Sequence, residues 1–128
     1  IYVAALTYAN PPNALVIISH GTPTSVSMMN AKDLAAYIKK NTDWKPGQPI
    51  ILNACKTGRG ENPIAEQLST ELGMNTVVAP TESIWNLGPI DVGPFGPMNE
   101  NRNGPGYNQM DVGKPGTWRC FGSCAIGG

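Results

Sequence analysis

Few residues in this sequence are equipped for covalent chemistry, and two of them occupy matching places. The only histidine, His20, closes the apolar run Ala14–Ser19 and has Gly21 behind it. Cys55 closes a second apolar run, Ile50–Ala54, with Gly58 three residues further on. A thiolate is a strong nucleophile and an imidazole is a fitting base to generate it. Two buried strands that bring one Cys and one His to the same sheet edge therefore make an acyl-transfer pair. Gly21 has no Cβ, so its N–H can approach a substrate closely, and with the N–H of Cys55 it forms a candidate oxyanion hole. Asn53 is on the same side of its strand as Cys55, which makes it a candidate for shaping the site. The plainer alternative is that Cys55 is a small core residue and His20 a surface group. The joint pattern, each residue at the end of one of two consecutive strands, favours chemistry.

Other chemistries lack their residues. A zinc site is disfavoured, because a single His and no ligand-spaced partner for Cys55 do not make a tetrahedral set. A Gly-x-Ser-x-Gly elbow and a glycine-rich phosphate loop are both absent. No metal and no cofactor are expected.

The elements that must position the pair follow from periodicity. Residues 1–8 read as a strand, and Asn10-Pro11-Pro12-Asn13 as a turn. Ala14–Ser19 is apolar throughout rather than alternating, which predicts a strand buried on both faces, as in the middle of a parallel sheet. Asn30 predicts the cap of a helix through about Lys40, with Leu34, Ala35 and Ile38 inward and Lys39-Lys40 at the end that suits cations. Pro46-Gly47 marks a turn, and Ile50–Ala54 is the next buried strand. Asn62 and Pro63 predict the start of a second helix reaching about Leu72, stopped by Gly73. Thr76–Ala79 is a further short strand closed by Pro80. Helices between consecutive apolar strands predict an α/β fold, with a mainly parallel sheet across residues 14–79 and helices flanking it.

The texture changes after Pro80. Residues 81–116 are dense in Gly, Pro and Asn, with Trp85, Phe95, Tyr107 and Met110 among them. Scattered aromatics argue against free disorder, so this stretch reads as an ordered, irregular cap with a short hairpin near Asn103-Gly104. Thr117–Phe121 reads as a last strand and Gly122–Gly128 as a tail.

Length and charge bound the rest. The chain has 128 residues, one domain with room for a real core, and no internal repeat. Its formal net charge is zero, so neither nucleic acid nor an anionic membrane is indicated as partner. No apolar run approaches the ~18–20 residues that cross a bilayer, and no signal peptide is visible. The start at Ile1 rather than Met leads us to expect a piece of a longer polypeptide. The cysteine count of three is odd, so at least one thiol is free. Cys120 and Cys124 can pair across a short loop, which would leave Cys55.

The pattern of apolar strand–His20-Gly21, helix, apolar strand–Ala54-Cys55 and small loop with Gly58 resembles the caspase-like (clan CD) cysteine peptidases. The resemblance covers roughly residues 14–80. It implies a cysteine endopeptidase with His20 as base, Cys55 as nucleophile, and Gly21 with the Cys55 amide as oxyanion donors. Caspases have Gln before Ala-Cys, whereas here Asn53 stands there, closer to the bacterial members; the His-to-Cys interval is also shorter, a compact version. The pocket for the residue before the scissile bond is built, in that family, by loops at the same sheet edge, here Lys56–Gly60 and Thr81–Asn86. Glu82 and Asp91 are candidates to receive a basic side chain there, with Trp85 as a wall; Lys56 and Arg59 are candidates to select an acidic one. Each of these charges is otherwise a solvated loop residue, and Trp85 otherwise a core cover. The implied partner is a polypeptide substrate, with a cognate inhibitor or immunity protein left open. The expected setting is a secreted or delivered bacterial effector or self-processing domain. Two other classes stay open: a Cys-His amidohydrolase, deamidase or acyltransferase, and a non-enzymatic α/β binding module.

Overall fold

The computed structural model describes residues 1–6, 13–84, 97–101 and 109–124. The turn expected at residues 10–13 falls mostly outside that range. Trp85, Asp91, Phe95, Tyr107, the hairpin tip at Asn103-Gly104 and the end of the tail at 125–128 fall wholly outside it. In chain order the elements are β1 (Tyr2–Leu6), β2 (Ala14–Ile18), β3 (Gly21–Thr22), β4 (Ser25–Val26), α1 (Ala31–Asn41), β5 (Ile50–Asn53) and α2 (Ile64–Glu71). They continue with β6 (Val77–Pro80), β7 (Ser83–Ile84), β8 (Pro97–Asn101), β9 (Gln109–Pro115) and β10 (Trp118–Phe121).

A five-stranded sheet in the order β1-β2-β5-β6-β10 forms the centre of this α/β fold. β2, β5 and β6 are parallel, each joined to the next through a helix. Both edge strands run the other way, so the sheet is mixed rather than parallel throughout. The reason at β1 is length: residues 7–13 are fewer than the dozen or so that a parallel crossover needs. Both crossovers step across the sheet in the same direction, and right-handed connections then put both helices on one face. Leu34, Ala35 and Ile38 of α1 and Ile64, Ala65 and Leu68 of α2 are buried there with Leu15, Ile17, Ile50, Leu52 and Val77. The opposite parity, Ala14, Val16 and Ile51, is buried on the other face beside Val78 and Trp118. That double burial is what the uninterrupted apolar runs of β2 and β5 record.

α1 begins where expected, with Asn30 Oδ1 accepting the Asp33 N–H at 2.8 Å. α2 begins one residue later than a cap at Asn62 would place it. Pro63 is its cap and has no side-chain oxygen to accept; instead the N–H groups of Ile64 and Ala65 donate to Pro23 O at 2.9 Å and Thr57 O at 3.1 Å. Two loops thus supply what a capping side chain ordinarily would. Gly73, at φ +73°, ends the helix as expected.

The stretch after Pro80 is more regular than its composition suggests. β7, β8 and β9 form a separate three-stranded antiparallel sheet, with Ser83 opposite Met98 and Asn101 opposite Gln109. Pro-Met-Asn-Glu-Asn and Gln-Met-Asp-Val-Gly-Lys-Pro carry no alternation and a single strand-favouring residue, Val112, so it is their pairing partners that mark them as strands. A disulfide joins Cys120 to Cys124, and Cys55 is a free thiol.

Candidate active site

Register decides which side chains meet at the carboxyl edge. Ile18 of β2 lies opposite Asn53 of β5, and the Ser19 N–H extends that ladder to Asn53 O at 3.4 Å. Two residues further along each chain stand His20 and Cys55. Neighbouring parallel strands are ~4.8 Å apart, so equal overhangs keep these two ends side by side. Parity places Ile18 and Asn53 with Val16 and Ile51, on the face turned away from the helices. Here a cleft of about 640 Å³ is lined by Ile1, Ile18, Ser19, His20, Ser27, Met28, Asn53, Cys55 and Ile84. His20 is exposed, Cys55 half-buried and Asn53 buried.

Gly21 welds the two strand ends together. A Cβ on it would lie 2.7 Å from Thr57 Cγ2, 2.8 Å from Ala54 Cβ and 2.9 Å from Cys55 O. Only a residue without a side chain allows the backbone after His20 to rest on the turn around Cys55. That turn is itself tightly built. Lys56 is at φ +61°, the buried Thr57 hydroxyl donates to Ala54 O at 2.8 Å, and the Gly58 N–H donates to Pro80 O at 2.8 Å. The first N–H groups of α2 hold Pro23 and Thr57 from behind, so one helix end fastens both loops. These donors are consumed by carbonyls and point to the loops rather than to the sulfur.

The donors near the sulfur are backbone amides. Ser27 N–H donates to His20 O at 2.9 Å, which makes His20 and Ser27 a hydrogen-bonded pair of the β3–β4 hairpin. Alternation then makes Gly21 and Val26 a non-hydrogen-bonded pair, with the Gly21 N–H directed outward from the hairpin. The Cys55 N–H has no backbone acceptor among the described residues. Strand β7 runs beside the nucleophile: the Lys56 N–H donates to Glu82 O at 3.2 Å, and the Ile84 N–H donates to Cys55 Sγ at 3.4 Å. A thiol and an imidazole lining one cleft, with two outward amides, are the parts for attack on a carbonyl and for holding the resulting oxyanion.

The candidate specificity residues are placed differently from one another. Glu82 and Arg59 face each other at 3.9 Å, and neither they nor Lys56 line the cleft. Trp85 and Asp91 lie outside the described residues. Four contributors were not singled out in the sequence. Ser27 and Met28 form a tight turn over the cleft, Ile84 supplies the amide at the sulfur, and Arg119 pins the loop after Cys55. The Arg119 guanidinium donates to Gly58 O at 2.7 Å and Gly60 O at 2.8 Å from a strand some sixty positions away. No cluster of three His, Cys, Asp or Glu side chains suited to a metal occurs among the described residues.

Comparison with known proteins bears on residues 1–105, which match the model of a family described as a domain of unknown function, DUF8616. This chain belongs to the DUF8616 family. The match takes in the whole His20–Cys55 edge and ends between β8 and β9. The uncharacterized protein YibJ of Escherichia coli (strain K12) is similar to this DUF8616 domain, at 44% identity over 61 residues. That alignment takes in 44% of this chain and 26% of YibJ, so the chain spans only about a quarter of that relative's length. No solved structure matches.

Proposed function

We propose that this domain is a cysteine peptidase of the caspase-like type, acting through His20 and Cys55. The observation that carries the reading is the equal overhang of these residues from adjacent parallel strands into one cleft. The resemblance of the strand–His-Gly and strand–Ala-Cys pattern supports it independently. Cys55 Sγ attacks the carbonyl carbon of the scissile amide while His20 takes the thiol proton. The carbonyl electron pair moves onto oxygen, where the N–H groups of Gly21 and Cys55 receive it. Collapse of this intermediate expels the amine, which leaves with the proton from His20, and a thioester stays on Cys55. Water then gives a proton to His20 and attacks the thioester. The new carboxyl product departs, and the sulfur recovers its proton.

An E. coli relative supports a bacterial setting, and the Cys120–Cys124 disulfide suits passage through an oxidising compartment. We therefore read the domain as a secreted or delivered effector, or as the self-processing part of a larger bacterial polypeptide.

Iodoacetamide reactivity and a peptide library test the assignment together. Cys55 is expected to alkylate rapidly near neutral pH, and His20→Ala to abolish that speed and lower cleavage by about 100-fold or more. Raising the pH is not expected to return His20→Ala to the wild-type rate, because protonation of the leaving amine is still missing. Slow alkylation indifferent to His20 would make the domain a binding module. Rapid alkylation with side-chain amide hydrolysis and no chain cleavage would make it a deamidase.

A further inference from the structure

The turn over the cleft is built against its own residue preferences. Val26 and Met29 exchange backbone hydrogen bonds, at 3.0 Å from the Val26 N–H and 2.8 Å from the Met29 N–H. Between them Ser27 is at φ +50° and Met28 at φ +63°. Positive φ at both central positions is the mark of a type I′ turn, where Asn-Gly is the favoured pair and a side chain such as Met is disfavoured. Met28 is also 97% exposed, the most exposed large apolar residue among those described, and it stands at the rim of the cleft holding His20 and Cys55. Backbone strain kept beside a candidate site points to a use for the side chain it presents.

The walls agree with that use. Ile18, Ile84 and Met28 are apolar, Ser19, Ser27 and Asn53 are uncharged, and no Asp, Glu, Lys or Arg lines the cleft among the described residues. Glu82, the nearby carboxylate that would receive a basic side chain, does not line the cleft and lies 3.9 Å from Arg59. A charged substrate side chain entering here would lose hydration without gaining a partner, whereas an aliphatic one would be covered by Met28 and Ile18.

We infer that the Ser27–Met28 turn is a specificity element, selecting peptides with an uncharged aliphatic side chain, of leucine or methionine size, before the scissile bond. This rests on the reading of Cys55 as the nucleophile of a peptidase, and the test separates the two. Binding is measured by calorimetric titration of acetyl-Ala-Leu-amide, acetyl-Ala-Arg-amide and acetyl-Ala-Asp-amide into Cys55→Ala protein, with and without the turn substitutions below, and the Met28 methyl resonance is followed in ¹³C-methyl-methionine protein that keeps Met28. Cleavage of reporter peptides with the same three residues is measured in the wild-type protein. The variant is the double substitution Ser27→Asn with Met28→Gly, which suits the turn and so is expected to raise Tm while removing the apolar lip.

The leucine peptide is expected to shift the Met28 methyl and bind about tenfold or more tighter than the charged two, and the double variant to lose that difference. Charged peptides bound as tightly as leucine overturn the inference. So does full leucine preference in the double variant, or no binding of any peptide up to millimolar concentration. Leucine-selective binding lost in the double variant, with no peptide cleaved by the wild type, brings down the peptidase reading and upholds the specificity element.

Discussion

At Cys55 the structural and chemical roles separate cleanly by substitution. The sulfur is half-buried, and its contacts include the Ile84 N–H at 3.4 Å. Cys55→Ala is expected to abolish alkylation and cleavage while lowering Tm by only a few degrees, since about 1 kcal/mol corresponds to roughly 3–6 °C at this size. A fall beyond about 8 °C in a thermal melt would assign the residue to the core instead. Gly21 is expected to behave in the opposite way. An added methyl would meet Thr57 Cγ2, Ala54 Cβ and Cys55 O within 3 Å, and two of those three atoms belong to the backbone or to a side chain with no freedom to move. Gly21→Ala should cost about 1–3 kcal/mol and slow Cys55 alkylation, because the His20 strand end is pushed off the turn. Wild-type stability together with wild-type alkylation would show that the two loops are not in contact in solution.

The elements that hold the pair are joined by contacts remote in sequence. α2 takes its first acceptors from both loops, and β10 sends Arg119 back to the carbonyls of Gly58 and Gly60. The same guanidinium lies 4.7 Å from the centre of the Phe121 ring, which fixes its plane. Arg119→Ala is expected to lower stability by about 1–2 kcal/mol, read by denaturant melting, since the site is partly exposed to water. Arg119→Lys should restore only part of this, because both bonds come from one guanidinium nitrogen whose N–H directions are fixed in a plane stacked on Phe121, and a flexible ammonium has no such plane. Full restoration by Lys would show that charge alone matters there.

Across the whole molecule, stability is expected to be graded outward from the parallel centre. β2, β5 and β6 carry Leu15, Ile17, Leu52 and Val77 at or near zero exposure, with helices on one face and a second apolar cluster on the other. The β7–β9 sheet joins the chain next to the nucleophile but is separate from that centre. Native-state hydrogen exchange is therefore expected to be slowest at Ile17, Ile51 and Leu52 and faster throughout β8 and β9. Equal protection in both sheets would mean that the molecule opens as one cooperative unit.

What could be read without the structure was whatever neighbouring residues encode among themselves. Apolar runs of strand length, the Asn30 cap, the stop at Gly73 and the His-Gly and Ala-Cys ends are local. They define an α/β order with a parallel centre and a candidate pair at its carboxyl edge. The parts that could not be read depend on pairing at a distance. The direction of β10 and the existence of β8 and β9 follow from partners that their own composition does not announce. Glu82 stands 3.9 Å from Arg59, a neighbour that its place in the chain does not announce. Arg119 acts on carbonyls that any residue types would have provided. Met28 owes its place at the cleft to two positive φ angles that its side chain disfavours, and these belong to the turn closed by the Val26–Met29 backbone pair.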